Sequence, residues 1–247
     1  MMFPHGVPLL PLLEKDEVHI WRSVIDLPDS RIQALEKSLT PDECARADGF
    51  RFETHRDRFV AARGLLRAIL ARYLGTHPGQ LRFRYGPYGK PALDGETGKN
   101  ISFNLSHANG LALYALARDR EIGIDLEQVR PHSLDQTIAE QYFSEQENAM
   151  LGVLSVHGGS EPFFRYWTRR EAYLKAHGEG LSGFPRRPDF SLEGGDPLPL
   201  GTKEETHQGG AQWLLRDLDP APGYVAAIAI EGPHSRLRLM FAEWPPK

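Results

Sequence analysis

At 247 residues the chain is long enough for one large domain or two compact halves. Its 40% hydrophobic and 25% charged residues are those of an ordinary globular protein, and a formal net charge of -4 excludes a globally basic protein that coats nucleic acid. The one cysteine, Cys44, excludes an internal disulfide and fits a reducing cytoplasm, and no stretch approaches the ~20 apolar residues of a membrane span.

The N-terminal apolar run Val7 to Leu13 is broken by Pro8 and Pro11, has no basic residue before it and runs into Glu14, Lys15, Asp16 and Glu17, so it does not read as a signal peptide. Val18 to Ile25 reads as a strand. Thr40-Pro41-Asp42-Glu43 is a helix start, with Thr40 as cap and Glu43 as its reciprocal partner. A long helix is expected from Thr54 to Leu74, closed by Gly75, with Phe59, Ala62, Leu66, Ile69, Leu70 and Tyr73 on one apolar face. Seven arginines and three acids (Asp48, Glu53, Asp57) lie between Arg46 and Arg72, and Arg56, Arg63 and Arg67 share one flank of the helix. That flank is either a solvated, salt-bridged surface or an anion site, since guanidinium forks suit phosphate oxygens.

Leu81 to Tyr85 reads as a strand, and Tyr85-Gly86-Pro87-Tyr88-Gly89-Lys90-Pro91 forces turns. It is a plain loop or a nucleotide rest, with backbone exposed at glycine and a lysine for phosphate. Ile101 to Leu105 is a short strand followed by Ser106-His107. Leu111 to Ala117 is almost wholly apolar, as a strand buried on both faces would be. Arg118-Asp119-Arg120 is expected to turn it back into the next strand as a hairpin.

That next strand, Glu121-Ile122-Gly123-Ile124-Asp125-Leu126-Glu127, alternates. Ile122, Ile124 and Leu126 fall on one side, and Gly123, Asp125 and Glu127 on the other. Two carboxylates held about 4 Å apart repel by roughly 4 kcal/mol at an effective dielectric near 20. The side is either a solvated strand face or a divalent metal site with hard oxygen ligands, hence magnesium or manganese. The glycine leaves room above the strand.

A helix is expected around Leu134 to Tyr142, and Ser144-Glu145-Gln146-Glu147 repeats the cap pattern of Thr40. A second long helix runs from Pro162 to His177 and stops at Gly178. Its Trp167, Glu171 and Lys175 are each four apart and stack on one face. They are either an ordinary Glu–Lys pair beside a core tryptophan, or a third carboxylate and a cation carried inward to Asp125 and Glu127. The tail gives strands near Asp189 to Leu192, Gln212 to Arg216, Tyr224 to Ile230 and Arg236 to Phe241, with a polar loop from Gly194 to Gly210. Each half thus repeats a capped short helix, a long helix ended by glycine, a turn-rich strand region and a terminal hairpin. The expected architecture is α+β, with each half a small sheet packed on one long helix. The halves are residues 1–120 and 121–247, with the carboxylate strand at their junction. There is no zinc pattern, Walker loop or Gly-x-Ser-x-Gly elbow.

Four motifs stand in order: Gly89-Lys90-Pro91, Phe103-Asn104-Leu105-Ser106-His107, Gly123-Ile124-Asp125-Leu126-Glu127, and Trp167-Thr168-x-x-Glu171-Ala172-x-x-Lys175. As a set, over Thr40 to Leu181, they resemble the 4'-phosphopantetheinyl transferases of the surfactin-synthetase (Sfp) type. The resemblance implies a pseudo-two-fold monomer of two similar α+β halves. It also implies transfer of phosphopantetheine from coenzyme A to a serine of an acyl or peptidyl carrier protein, which is holo-acyl-carrier-protein synthase activity, with release of adenosine 3',5'-bisphosphate. Carried over by position, Asp125, Glu127 and Glu171 would hold magnesium, Glu127 directly or through water. His107 and Lys175 would contact phosphates, with Ser106 beside His107, and Gly89, Lys90 and Pro91 would border the adenine. Arg63 and Arg46 would serve the 3'-phosphate. Glu171, directly or through a metal-bound water, is the candidate base for the serine hydroxyl, and Lys175 would stabilise or protonate the departing bisphosphate. Carrier proteins are generally acidic near their serine, so a basic or apolar dock is expected. Two other classes compete: a metal-dependent phosphohydrolase, with water in place of the serine, and a non-catalytic module that binds coenzyme A or a carrier protein.

Overall fold

The computed structural model describes residues 12–95, 98, 100–130, 142–143, 145–178, 198–199, 213–232 and 237–245. They form two compact units, one from Phe3–Tyr85, Pro91–Asp119 and Arg238–Lys247, the other mainly from Arg120–Leu237 with the short segment Gly86–Lys90. The fold is α+β, with two four-stranded sheets, each packed on helices.

In the first unit, strand β1 (Glu17–Val24) pairs antiparallel with β5 (Leu111–Arg118), which pairs antiparallel with β4 (Ile101–Ala108). On its other edge β1 takes β10 (Arg238–Glu243) in parallel. Strand β5 is buried through Ala117, as its apolar run predicts for a central strand. Helices α1 (Asp29–Glu36), α2 (Pro41–Asp48) and α3 (Glu53–Leu74) cover this sheet. The start of α2 is fixed by the Thr40 amide donating to Glu43 Oε2 at 2.9 Å, and α3 ends where Gly75 turns left-handed at φ 61. The expected face of α3 is the core face: Ala62, Leu66, Ile69 and Leu70 are buried with Trp21, Phe103 and Tyr114 of the sheet, and Phe59 and Tyr73 pack against them. A small hairpin, β2 (Phe83–Tyr85) with β3 (Pro91–Leu93), completes the unit. Helix α1 and strand β3 were not expected from the sequence; α1 follows Pro28 with no side-chain cap and only Asp29 as an acid in its first turn.

In the second unit the sheet runs β6 (Ile122–Gln128), β9 (Tyr224–Glu231), β8 (Trp213–Leu218), β7 (Leu198–Pro199). Helices α4 (Glu145–Gly158) and α5 (Glu161–His177) accompany it, and α5 stops at the left-handed Gly178, φ 71. Phe163, Tyr166, Ala172, Tyr173 and Ala176 of α5 share a core with Trp213, Val225, Ala227 and Ala229 of the sheet.

Two expected hairpins are corrected. Strand β5 does not turn back into β6; its hairpin partner is β4, through Asn109 and Gly110 with φ 37 and 85. Asn-Gly takes the two positive φ values that a tight, strand-matched turn needs, and Arg118-Asp119-Arg120 does not. Strand β4 accordingly runs on through Ser106 and His107 to Ala108 instead of ending at Leu105. At the C-terminus β9 pairs with β6 and β8, while β10 joins β1 in the first unit. The expected helix at 134–142, the cap residue Ser144, the strand at 189–192 and nearly all of the loop at 194–210 lie outside the described residues.

Candidate active site

Strand β6 holds its acids on the face that looks at α5. In register with β9, Gly123 lies opposite Ala229, Asp125 opposite Ala227 and Glu127 opposite Val225, and those three β9 residues belong to the core shared with α5. The small side chains let the helix come down onto the strand. A Cβ placed on Gly123 would collide with the carbonyl oxygen of Ala172 and the amide nitrogen of Ala176, and would lie 2.9 Å from the Ala176 Cα. The room that the glycine leaves is therefore filled by the helix backbone itself. Asp125 is only 4% exposed, so this is not a solvated strand face.

The close approach carries the helix residues next to Ala172 and Ala176 to the strand acids. Lys175 Nζ donates to Asp125 Oδ1 at 2.5 Å. Glu171 is half-buried and its Oε1 is buried with no hydrogen-bond partner. Burial, then the Asp125 charge, push the Glu171 carboxyl up to about 7 against the pull of Lys175 and Arg170. Glu127 is likewise pushed up to about 7, first by burial and then by Asp125, with Glu171 adding to the effect and Lys175 and Arg130 opposing it. Three carboxyls and one ammonium thus face one another across β6 and α5. The Glu–Lys spacing on α5 reads as a surface pair in isolation, yet its cation bonds to a buried strand acid.

The donor set fits a hard divalent cation. It consists of carboxylate oxygens only, two of the three carboxyls are pushed up by burial and then by the charge of Asp125, and the buried Oε1 of Glu171 lacks a hydrogen-bond partner. Among the described residues no three His, Cys, Asp or Glu side chains form a ready-made cage for an ion, and Lys175 holds Asp125 Oδ1 in this arrangement. Beyond Glu171, Arg170 is buried over the Phe143 ring at 5.7 Å, with Glu147 of α4 at 4.0 Å. The sequence pattern had not singled out this pair.

The remaining expected site residues lie as follows. Gly89 has φ 82 and turns the chain into Lys90, whose ammonium is held inside the second unit by Glu121 Oε2 and the Ala176 carbonyl, both at 2.6 Å. Pro91 begins β3. Ser106 (buried) and His107 (exposed) are adjacent on β4 of the first unit. Arg46 is exposed on α2 and stacks over Phe59 at 5.4 Å. At Arg63 and Arg67 the arginine flank of α3 is buried and paired. Arg63 Nε donates to Glu43 Oε1 at 2.5 Å and its other arm reaches the Tyr85 hydroxyl. Arg67, fully buried, donates to Glu43 Oε2 at 2.7 Å and to the Pro78 and Leu81 carbonyls at 3.0 and 3.1 Å. Arg63, which the resemblance assigns to the 3'-phosphate, has its guanidinium on the acid of the α2 capping box in this arrangement. Arg56 pairs with Glu36.

Residues 28–118 match the family described as 4'-phosphopantetheinyl transferase, N-terminal, and residues 121–229 match the 4'-phosphopantetheinyl transferase superfamily. The 4'-phosphopantetheinyl transferase HetI of Nostoc sp. is 43% identical over 226 residues, 91% of this chain and 92% of HetI. The phosphopantetheinyl transferase of Thraustochytrium sp. is 29% identical over 177 residues, 67% of this chain and 61% of that protein. The 4'-phosphopantetheinyl transferase gsp of Aneurinibacillus migulanus is 34% identical over 117 residues, 47% of this chain and 46% of gsp.

Proposed function

Given that the chain belongs to the 4'-phosphopantetheinyl transferase superfamily and transfers 4'-phosphopantetheine onto carrier proteins, we propose that Asp125, Glu127 and Glu171 hold the magnesium ion that this family uses together with coenzyme A. The second half of the chain, from residue 121, then carries most of the metal and catalytic residues. The phosphohydrolase and the non-catalytic module give way to the transferase.

In the transfer, the carrier serine oxygen bonds to the pantetheine-side phosphorus of coenzyme A. The bond from that phosphorus to the bridging oxygen breaks, and its electron pair leaves on adenosine 3',5'-bisphosphate. When bound, the ion offsets the repulsion between an incipient alkoxide and a pyrophosphate. The chain's own groups do the rest. Glu171, with a buried and unpartnered Oε1, takes the serine proton. Lys175, poised beside the acids by its bond to Asp125, turns its ammonium to the charge that builds on the leaving group. His107 and Ser106 on β4 contact phosphate oxygens, Arg46 on α2 supplies an exposed cation for the 3'-phosphate, and the turn at Gly89, Lys90 and Pro91 borders the adenine with its backbone. We also place the activity in the cytoplasm and the protein as a monomer, with an acidic carrier protein as its partner.

The meeting of Glu171, Lys175 and Asp125 across α5 and β6 is what supports this reading most. Glu171→Gln is expected to lower transfer about 10²–10⁴-fold, read as the mass gain of an apo-carrier protein incubated with coenzyme A and magnesium. Titration with magnesium alone should show weaker binding in Asp125→Asn than in the wild type. Substantial transfer by the Glu171 variant would reject its role, and unchanged magnesium binding by the Asp125 variant would reject the ligand set.

A further inference from the structure

The lysine of the Gly89-Lys90-Pro91 turn does not point its charge at open solvent. Two hydrogen bonds set its backbone: Gly89 N donates to the Gly86 carbonyl and Gly86 N to the Lys90 carbonyl, each at 2.9 Å. The side chain, 17% exposed, then runs to the end of α5. A Cβ on Gly178 would meet the Lys90 Cδ at 3.3 Å, so the glycine that ends the helix also makes room for the lysine stem. At the tip, Nζ donates to the carbonyl of Ala176 and to Glu121 Oε2, both at 2.6 Å. The Ala176 carbonyl is in the last turn, where no further helical amide can reach it, and the negative end of the helix dipole favours a cation there. Glu121 is itself fixed, because its carbonyl accepts from Glu231 N and its amide donates to Glu231 Oε2, both at 3.0 Å.

One ammonium therefore ties the residue after Lys175 to the residue that leads into β6, four positions before Asp125. The contact of Gly123 with Ala172 and Ala176 sets how far α5 stands from β6, and the bonds of Lys90 tie the end of the helix to the start of the strand along their length. We infer that Lys90 is a positioning residue that fixes the slide of α5 on β6, and so the alignment of Glu171 and Lys175 with Asp125. The inference rests on the reading of α5 and β6 as the catalytic pair. Misplacement of reacting groups by about 1 Å can cost 10²-fold in rate. The ion pair with Glu121, whose side chain is 53% exposed, contributes less than the bond to the helix carbonyl.

The test compares Lys90→Met, Lys90→Gln and Lys90→Arg with the wild type. Removing both donors in Lys90→Met should lower kcat at least tenfold and leave KM for coenzyme A within about twofold. Lys90→Arg, which can donate to both oxygens, should restore most of kcat. Lys90→Gln, which keeps one neutral donor for Ala176, should fall between, and it replaces the methionine variant if that proves too unstable to assay. Amide hydrogen exchange, which needs no turnover, should rise at Lys175 to Gly178 in Lys90→Met while α3 and β5 keep wild-type protection. A raised KM with unchanged kcat would make the Lys90 side chain, and not only its backbone, a substrate contact and overturn the inference, as would wild-type exchange at the end of α5. Exchange that rises as expected in a protein whose wild type transfers nothing would leave the brace standing and refute the catalytic reading.

Discussion

Single residues in this chain owe their state to what buries them. Glu43 shows it most plainly. Burial pushes its carboxyl up, but the Thr40 amide and the Arg63 and Arg67 guanidiniums outweigh that and hold it below the ordinary glutamate value. Glu43→Gln leaves two buried guanidiniums with no countercharge, and we expect a loss of about 3–5 kcal/mol in urea unfolding. His19 is the opposite case. It is 3% exposed, its Nδ1 lies 2.6 Å from the Tyr73 hydroxyl and its Nε2 3.3 Å from Glu17 Oε2. The Tyr73 oxygen already accepts from Trp21 Nε1 at 2.9 Å, so its own proton goes to Nδ1, and a neutral imidazole donates to Glu17 from Nε2. Desolvation lowers the His19 pKa below 6.5 despite Glu17. Both groups have folded values below their unfolded ones, so each contributes stability that is present above its unfolded pKa and is lost as pH falls through the folded one. The contribution of His19 should therefore begin to fall below about pH 6.5 and that of Glu43 below about 4.5, while Glu127 and Glu171, raised to about 7, contribute in the opposite sense between about pH 7 and 4.5. The difference in urea midpoint between the wild type and His19→Gln should shift against the wild type as pH falls below about 6.5; a difference that stays constant with pH would refute the assignment.

At the scale of elements, the pairing of α5 with β6 decides the chemistry. Gly123→Ala puts a methyl group into the helix backbone at Ala172 and Ala176. Overpacking of this kind costs about 1–3 kcal/mol, and the helix must also lift from the strand, separating Lys175 from Asp125. We expect a folded protein with a lower Tm and a transfer rate reduced by about 10²-fold; wild-type kcat in Gly123→Ala would show that the close approach is immaterial. Much of this was readable beforehand. The start of α2 at Thr40, the stops of α3 and α5 at Gly75 and Gly178, and the alternation of β6 are all written in neighbouring residues. The room left by the glycine in the strand was also read; that Ala172 and Ala176 complete a seam of small residues with it was not. What could not be read was that the seam closes on itself, because nothing local says which strand a helix will meet.

For the molecule as a whole, the chain does not build its sheets in sequence order. Strand β10 closes the edge of β1, 221 positions away at the Arg22–Glu243 pair, and Trp244 packs edge-on against Trp21 at 5.4 Å with its amide donating to the Arg22 carbonyl at 2.8 Å. Removing residues 238–247 would expose the backbone of β1 as an unpaired edge. We expect the truncated protein to aggregate and to unfold at a lower urea midpoint; unchanged solubility and midpoint would show that β10 is dispensable. Among the described residues no helix is long and apolar enough to cross a membrane.

The amino-acid order alone set where the long helices begin and end, which strands alternate, and which residue types could serve a metal and a phosphate, because caps, glycine turns and periodicity act over a few residues. The resemblance carried by four spaced motifs named the reaction. Only the tertiary structure decided that β5 turns to β4 rather than β6, that Glu43 claims Arg63 and Arg67, and that Lys90 braces a carbonyl 86 residues further on. These are pairings between distant partners, fixed by which buried polar groups can be satisfied together, and no local propensity records them.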